Sequence, residues 1–444
     1  SDFIYSKDSD NIISILWDVK DKNMNVLTLG GLKDLTTCID KALDDETAKG
    51  IIISSSKKDF AGGMDLNVLQ SMMSDSKTNF SEMAFEIIMD VHNVLRKLEL
   101  AGRNLNMRKP AKPVVWASSG LSAGIGTEIA LACHYRIATD DPRTKIGLPE
   151  ILVGLFPFGG GTTRVMRMLG AMAASNILFE GKLLPAKAAK SSGLIDEVCN
   201  SSELISKAKE WILSASQNDT IKPWDLKGYK VPGGPPYHPS GFLTFVGATA
   251  MVHAKTKGVY PAPKALMAAA YEGLLVPFET ALKIEARWAV KLLNEPSTFN
   301  MINTLFLNKT ALDKGISRPE NIKNQKTNRL GVLGAGMMGS GIAYVSALAN
   351  IDVILIDSTY EKATEGKSKV KSILEEGIRR KKTSSEQMDS VLSRITATDD
   401  YTLLKDVDLV IEAVFEDTEL KSKVTKFAEA NIQENTIIAT NTST

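Results

Sequence analysis

The stretch 329–357, RLGVLGAGMMGSGIAYVSALANIDVILID, leaves little freedom in how it folds. Two apolar runs flank a glycine-rich turn and an apolar helical stretch, so the order is strand (329–333), turn, helix to about 349 and strand (352–357), a βαβ unit. Gly334, Gly336 and Gly339 stand in G-x-G-x-x-G spacing. The first permits the tight turn, the second lets the backbone approach a pyrophosphate, and the third lets helix and strand pack closely. The helix N-terminus then directs N–H groups and a partial positive charge at the phosphates. Asp357 ends the second strand, 18 residues after the last glycine. Its carboxylate suits an adenine-side ribose diol and repels a 2′-phosphate, which selects NAD over NADP.

A chain of 444 residues exceeds one hydrophobic core and predicts two or three domains. Residues 12–17 (IISILW), 51–55 (IIISS) and 113–118 (PVVWAS) read as short strands. Between the first two, 29–46 has helical spacing with Leu32, Leu35, Ile39 and Leu43 on one face, and a long helical segment covers 80–99. Helices and short strands alternate from 120 to about 200, an α/β layer pattern. Residues 218–240 are rich in Pro and Gly and read as an irregular linker; 241–315 is helical almost throughout, and 317–329 is a polar boundary. DLVIEAV (408–414) and NTIIATN (435–441) are buried parallel strands around a helix at 418–431.

Lys+Arg at 53 against Asp+Glu at 52, without a dense basic block, disfavours broad binding to nucleic acid or a membrane surface. Cys38, Cys133 and Cys199 match no metal-ligand spacing and suit a reducing compartment. No apolar stretch is long enough to span a bilayer, and the cytoplasm, or an organelle, is the expected location.

GIGTEIALA (124–132) sets Glu128 between a glycine-bracketed turn and an apolar helix, where an unpartnered carboxylate costs several kcal/mol or shifts its pKa. Glu150, in IGLPEILVG, is its candidate colleague: two carboxylates at one substrate can divide acid and base roles. Amides around Gly124–Gly126, with a second glycine turn at 60–65 (FAGGMD), suit a developing oxyanion. This is a site for chemistry beside a carbonyl. The plainer reading of Glu128 is a carboxylate capping the first turn of its own helix, and that of Glu150 a loop residue bound to backbone amides. His134 reads as a packed or surface histidine rather than a ligand, and Cys133 as a core residue rather than a nucleophile.

FAGGMDL, GIGTEIALACHYRIA, LPEILVGLFPFGGGTTR and LGAGMMGSGIA, in this order, resemble the α subunits of bacterial fatty acid oxidation complexes and their multifunctional relatives. These join a crotonase-fold enoyl-CoA hydratase to a 3-hydroxyacyl-CoA dehydrogenase. The resemblance implies an α/β chain: a crotonase-type ββα spiral over 1–200, a linker and helical segment over 201–316 completing it, and part of a doubly wound Rossmann domain over 317–444. Carried over by motif, Glu128 and Glu150 would activate the water added to a trans-2-enoyl-CoA, and the N–H groups of Met64 and Ile125 would hold the thioester oxygen. KNMNV, with Lys22, Met24 and Asn25, resembles the loop that meets CoA.

NAD would be held by Gly334, Gly336, Met338, Gly339 and Asp357, with Val414, Phe415, Glu416, Lys421 and Ser443. The family continues past this point with a catalytic histidine, its orienting glutamate and a helical domain. The resemblance therefore implies a chain truncated within the dehydrogenase, keeping hydration and lacking dehydrogenation. It also implies a thiolase β subunit as partner of the full-length protein. Enoyl-CoA isomerisation on the same site, or a non-catalytic acyl-CoA and NAD scaffold, are the alternatives. Gly-Ile-Gly at 124–126 and Phe158 depart from the family's glycines and put the acyl-length preference in question.

Overall fold

A computed structural model describes residues 1–74, 79–103, 110–322, 326–380 and 382–441. It divides into two compact units, 1–317 and 318–444.

In the first unit the strands are β1 (Phe3–Lys7), β2 (Ile12–Trp17), β3 (Gly50–Ser55), β4 (Val114–Ser118), β5 (Leu121–Ala123), β6 (Tyr135–Thr139), β7 (Lys145–Gly147), β8 (Leu184–Pro185) and β9 (Glu197–Cys199). They form a large sheet, β1-β2-β3-β4-β6-β9, and a small one, β5-β7-β8. From β2 onward the large sheet is parallel, whereas β1 pairs antiparallel with β2. Its central strands are apolar at consecutive positions because both faces are covered. The α-helices up to residue 293 are α1 (Leu29–Asp44), α2 (Leu66–Ser74), α3 (Phe80–Leu100), α4 (Ile125–Ala132), α5 (Gly161–Leu178), α6 (Ala186–Ser191), α7 (Leu204–Ser214), α8 (Pro239–Thr256), α9 (Pro261–Gly273) and α10 (Phe278–Leu293). Ile51, Ile53, Val114 and Trp116 pack in one cluster with α1 and α3. The alternate residues Ile52, Val115 and Ala117 pack on Ala208 and Ile212 of α7. Each fully buried isoleucine of this kind contributes about 1.5–3 kcal/mol.

Each pass of the chain adds a strand to both layers: β4 leads into β5, and β6 into β7. The small layer is extended by a parallel bridge between Ala61 and Ser122 and another between Leu27 and Met64. This register governs the site, because it brings the turn at Gly63 up against the turn at Gly124, where a Cβ would lie 3.5 Å from Gly63 Cα.

Three features differ from the sequence reading. The strand Ile437–Thr440, expected to be buried, is an edge strand with Ile437 55% exposed. The polar N-terminus contains β1, an edge strand with one face open to solvent. The Pro/Gly-rich segment after 217 is irregular but anchored rather than loose. Trp224 stacks on Phe278 at 5.1 Å, and buried Lys222 caps the end of α4 by donating to the carbonyls of Leu131 (2.9 Å) and Cys133 (2.5 Å).

The second unit is a parallel sheet in the order β12-β11-β10-β13-β14, from β10 (Arg329–Leu333), β11 (Asp352–Ile356), β12 (Ile395–Thr398), β13 (Leu409–Glu412) and β14 (Ile437–Thr440). The chain winds outward from β10 to β12 and returns at β13. Its switch point therefore lies between β10 and β13, where such sheets hold ligands.

Candidate active site

Gly124 takes φ +57°, a conformation that favours glycine, and so turns the chain sharply from β5 into α4. The helix is buried along its whole length, which carries Glu128 into the interior at 3% exposure. The carboxylate does not cap its own helix. Oε1 accepts from the amides of Gly159 (2.8 Å) and Gly161 (2.8 Å), the latter the first residue of α5. Glu128 thus sits at the N-terminus of a different helix, where the partial positive charge favours it. Only glycines fit here: a Cβ at 159 or 161 would lie 2.6 Å from a Glu128 oxygen.

Glu150 begins the 3-10 turn Glu150–Val153 that follows Pro149. Its Oε1 would lie 3.0 Å from a Cβ placed on Gly124, and its Oε2 is buried with no hydrogen-bond partner among the described residues. The plain reading of a carboxylate bound to backbone amides describes Glu150 only in part: its own backbone amide donates to the carboxyl, while Oε2 has no partner among the described residues. Both acids line one cavity of about 350 Å³. Burial, then the charges of Glu150 and Glu285, pushes Glu128 well above the usual carboxylate range, against the pull of its two amide donors. Burial lifts Glu150 to about 8. Two such acids cannot both be ionised at neutral pH, and the pair retains a proton.

Met64 and Ile125 line the same cavity, and neither N–H has an acceptor among the described residues. A Cβ on Gly124 would lie 3.5 Å from Gly63 Cα, so the turns leading to Met64 and Ile125 lie against each other. The rest of the wall is mainly apolar, from Leu69, Phe80, Ala84, Ile88, Val91, Leu293, Leu305 and Phe306. The two unusual residues belong to it as well. Ile125 Cδ1 would lie 2.8 Å from a Cβ on Gly159, and the Phe158 ring packs edge-on against Phe156 at 6.4 Å.

At the loop that resembles a CoA contact, Lys22 is partly exposed and pairs with Asp65 at 2.9 Å, beside Met64. Met24 packs against Gly62, whose Cβ would lie 2.5 Å from its sulfur. Asn25 requires a correction. Its amide donates to Trp17 O, Ser55 Oγ and Phe60 O and accepts from Val19 N, and it is fully buried. That side chain pins the loop to the sheet and has nothing left for a ligand. His134 and Cys133 are packed residues: Val114 N donates to His134 Nδ1, so the ring is neutral with its other nitrogen donating to Glu99 O.

In the second unit, Gly334 (φ +96°) and Gly339 are needed for close approach, since their Cβ atoms would lie 2.6 Å from Ala413 O and 1.7 Å from Gly334 O. At Gly336 a Cβ would meet nothing within 4 Å, an open face on the turn. Asp357 accepts from Ala335 N at 2.7 Å, which fixes its carboxylate at the glycine turn. Met338 and Phe415 are exposed, Val414 N donates to Glu412, and Lys421 pairs with Glu416 at 2.6 Å. Ser443 lies outside the described residues. Sequence reasoning missed the amides of Gly159 and Gly161, His92 and Glu285; the FGGG run ahead of α5 was the available signal for the first two.

A spiral of two strand layers with an acid pair and two unused amides on one cavity, followed by a dinucleotide-type sheet, is an arrangement suited to acid–base chemistry beside a carbonyl. Residues 9–221 match the enoyl-CoA hydratase/isomerase family, and 329–444 match the NAD binding domain of 3-hydroxyacyl-CoA dehydrogenase. The chain thus joins a segment similar to the first family to a segment similar to the second. It is 32% identical to the fatty acid oxidation complex subunit alpha of Shewanella amazonensis over 99% of this chain and 60% of that protein. For the same subunit of Shewanella loihica the values are 33%, 98% and 59%. The chain thus spans about 60% of the length of these curated relatives. An enoyl-CoA hydratase from Bacillus halodurans, 22% identical, superimposes with a TM-score of 0.48 over 68% of this chain and 99% of its own. Among the described residues no helix is long and apolar enough to cross a membrane, and no cluster of side chains could hold a metal ion.

Proposed function

We propose that the first unit hydrates trans-2-enoyl-CoA thioesters to 3-hydroxyacyl-CoA in fatty acid β-oxidation. The observation that carries this reading is the convergence of Glu128, Glu150 and the unused amides of Met64 and Ile125 on one apolar cavity. The thioester oxygen accepts from the two amides, which draws electron density away from C3. The ionised carboxylate of the pair takes a proton from water as its oxygen bonds to C3. The C2–C3 π electrons move onto the thioester oxygen, and each amide donor at this charge is worth on the order of 10²–10³ in rate. The protonated carboxyl then gives its proton to C2 and the carbonyl re-forms. The pair has exchanged one proton for another, so the chemistry needs the one-proton state, which repulsion between the two carboxylates favours over double ionisation.

The second unit serves as an NAD site for oxidation of a 3-hydroxyacyl-CoA. Its chemistry when NAD is bound is hydride acceptance; this chain's part is to seat the pyrophosphate on the glycine turn and the ribose on Asp357. A thiolase β subunit as partner and a cytoplasmic location belong to the same reading, supported by the relatives' designation as subunits of a complex and by three buried free cysteines.

The test follows the enoyl absorbance of crotonyl-CoA and longer enoyl-CoAs. Glu128→Gln and Glu150→Gln are each expected to lower kcat by about 10²–10⁴. A wild-type rate untouched by both substitutions would remove the reading.

A further inference from the structure

Successive amides of the turn ahead of α5 point to opposite sides. Those of Gly159 and Gly161 donate to Glu128, whereas the amide between them, Gly160, donates at 2.7 Å to Glu285 Oε1. Gly160 has φ +96°, and this left-handed residue reverses the amide direction. The other Glu285 oxygen accepts from Thr163 N at 2.7 Å and Thr163 Oγ1 at 2.6 Å. Glu285 is 1% exposed and comes from α10, outside the 9–221 stretch that matches the hydratase/isomerase family. It occupies the buried stripe Ala281, Leu282, Glu285, Ala286, Ala289, where the helical spacing would otherwise call for an apolar side chain.

We propose that Glu285 is a positioning residue of the hydratase site, holding the 158–163 turn from behind so that the amides of Gly159 and Gly161 hold Glu128 in front. The inference rests on the hydration reading. An ordinary buried ion pair does not account for Glu285. Arg164 pairs with Glu99 at 3.0 Å, and Arg167 donates to the carbonyls of Gly273 and Val276. His92 Nε2 lies 3.7 Å from Glu285 Oε1 but only 2.6 Å from Phe158 O, so it braces the same turn at its other end. Glu285 is therefore held by turn donors rather than by a directly bonded cation. A neutral apolar residue would fill the position at less desolvation cost, but could not accept from three donors.

Its charge also reaches the acids. The charged and titratable groups shown to interact with it are Glu128 from α4, Glu150 from the 3-10 turn and Arg167 from α5, with His92 of α3 at 3.7 Å. Repulsion from Glu285 raises both Glu128 and Glu150, which helps the pair keep its proton.

The experiment compares wild type, Glu285→Gln and Thr163→Val in crotonyl-CoA hydration across pH, with equilibrium unfolding alongside. Glu285→Gln loses the charge and half the acceptors. Its kcat is expected to fall about 10–100-fold with KM within about twofold, by displacement of Glu128. Both limbs of its pH profile are expected to move down by up to about one pH unit, because a nearby negative charge is gone. Thr163→Val keeps the charge and removes one donor. Its kcat is expected to fall at least about threefold with the limbs in place.

A folded Glu285→Gln protein with wild-type kcat and limbs, or one that only unfolds more easily, overturns the proposal. If that variant does not fold, Thr163→Val decides, and an unchanged kcat overturns it. Wild type that fails to hydrate any enoyl-CoA would instead sink the hydration reading itself.

Discussion

Replacing Gly161 with alanine puts a methyl carbon where Glu128 already is. The added Cβ would stand 2.6 Å from Oε1, 2.8 Å from Cγ and 3.1 Å from Cδ, where ordinary contact begins at 3.4 Å. The carboxylate must retreat by about 0.8 Å, since α5 and the buried α4 are both held by their packing. Gly161 lies in the first turn of a helix and its φ is not positive, so the backbone tolerates alanine and the conflict is confined to Glu128. The retreat stretches two hydrogen bonds to the carboxyl oxygen, each worth about 0.5–1.5 kcal/mol. A displacement near 1 Å at a reacting group costs on the order of 10² in rate.

Gly161→Ala is therefore expected to lower kcat for crotonyl-CoA about 10²-fold, with KM moved less than about threefold because the apolar wall and the Met64 and Ile125 amides are untouched. The assay is loss of enoyl absorbance at saturating substrate, with circular dichroism and denaturant unfolding to establish the fold. Wild-type kcat in a folded Gly161→Ala protein would refute the claim that the position of this carboxylate sets the rate.

The activity should follow a bell-shaped pH profile. Burial holds Glu150 near 8 while burial and the charge of Glu150 hold Glu128 higher, so kcat/KM should rise as pH climbs toward about 8 and Glu150 ionises beside a still protonated Glu128; a flat profile from pH 6 to 9 would contradict this. Asp357→Asn should weaken NAD about tenfold and narrow the preference over NADP, read by calorimetric titration of the chain, because a charged acceptor at the ribose is lost. His134 should make the fold acid-sensitive. Burial, then the charge of Lys222, lowers it from 6.5 to about 3, so the unfolded state binds the extra proton and stability falls as pH drops from about 6.5 toward 3. Melting temperature against pH measures this, and His134→Gln, which cannot gain that charge, should flatten the slope.

Much of the fold was legible locally. IISILW, IIISS and PVVWAS are strands because apolar residues at consecutive positions demand cover on both faces, and the βαβ unit at 329–357 follows from glycines at fixed spacing. The weak points were elements without that signal. FIYSK exposes most of its residues on an edge strand, and ITAT in β12 is short and half polar. The acids, the amide donors and the nucleotide turn could be named from motifs, because glycine-bracketed turns and carboxylates beside apolar runs are chemically unusual wherever they occur.

Which groups meet was decided only by long-range pairing. The sequence by itself determined the strands, the helices, the glycine turns and the list of reactive side chains, since these depend on near neighbours and on a period of two or 3.6. The tertiary structure alone decided that Ala61 registers with Ser122, bringing the turn at Gly63 up against the turn at Gly124. It also decided that Glu128 caps α5 rather than its own helix, that Asn25 is spent on the backbone, and that Glu285 of α10 turns an amide away from the site. Each depends on contacts between segments tens of residues or more apart, and no local periodicity encodes the direction in which a buried carboxylate finds its donors.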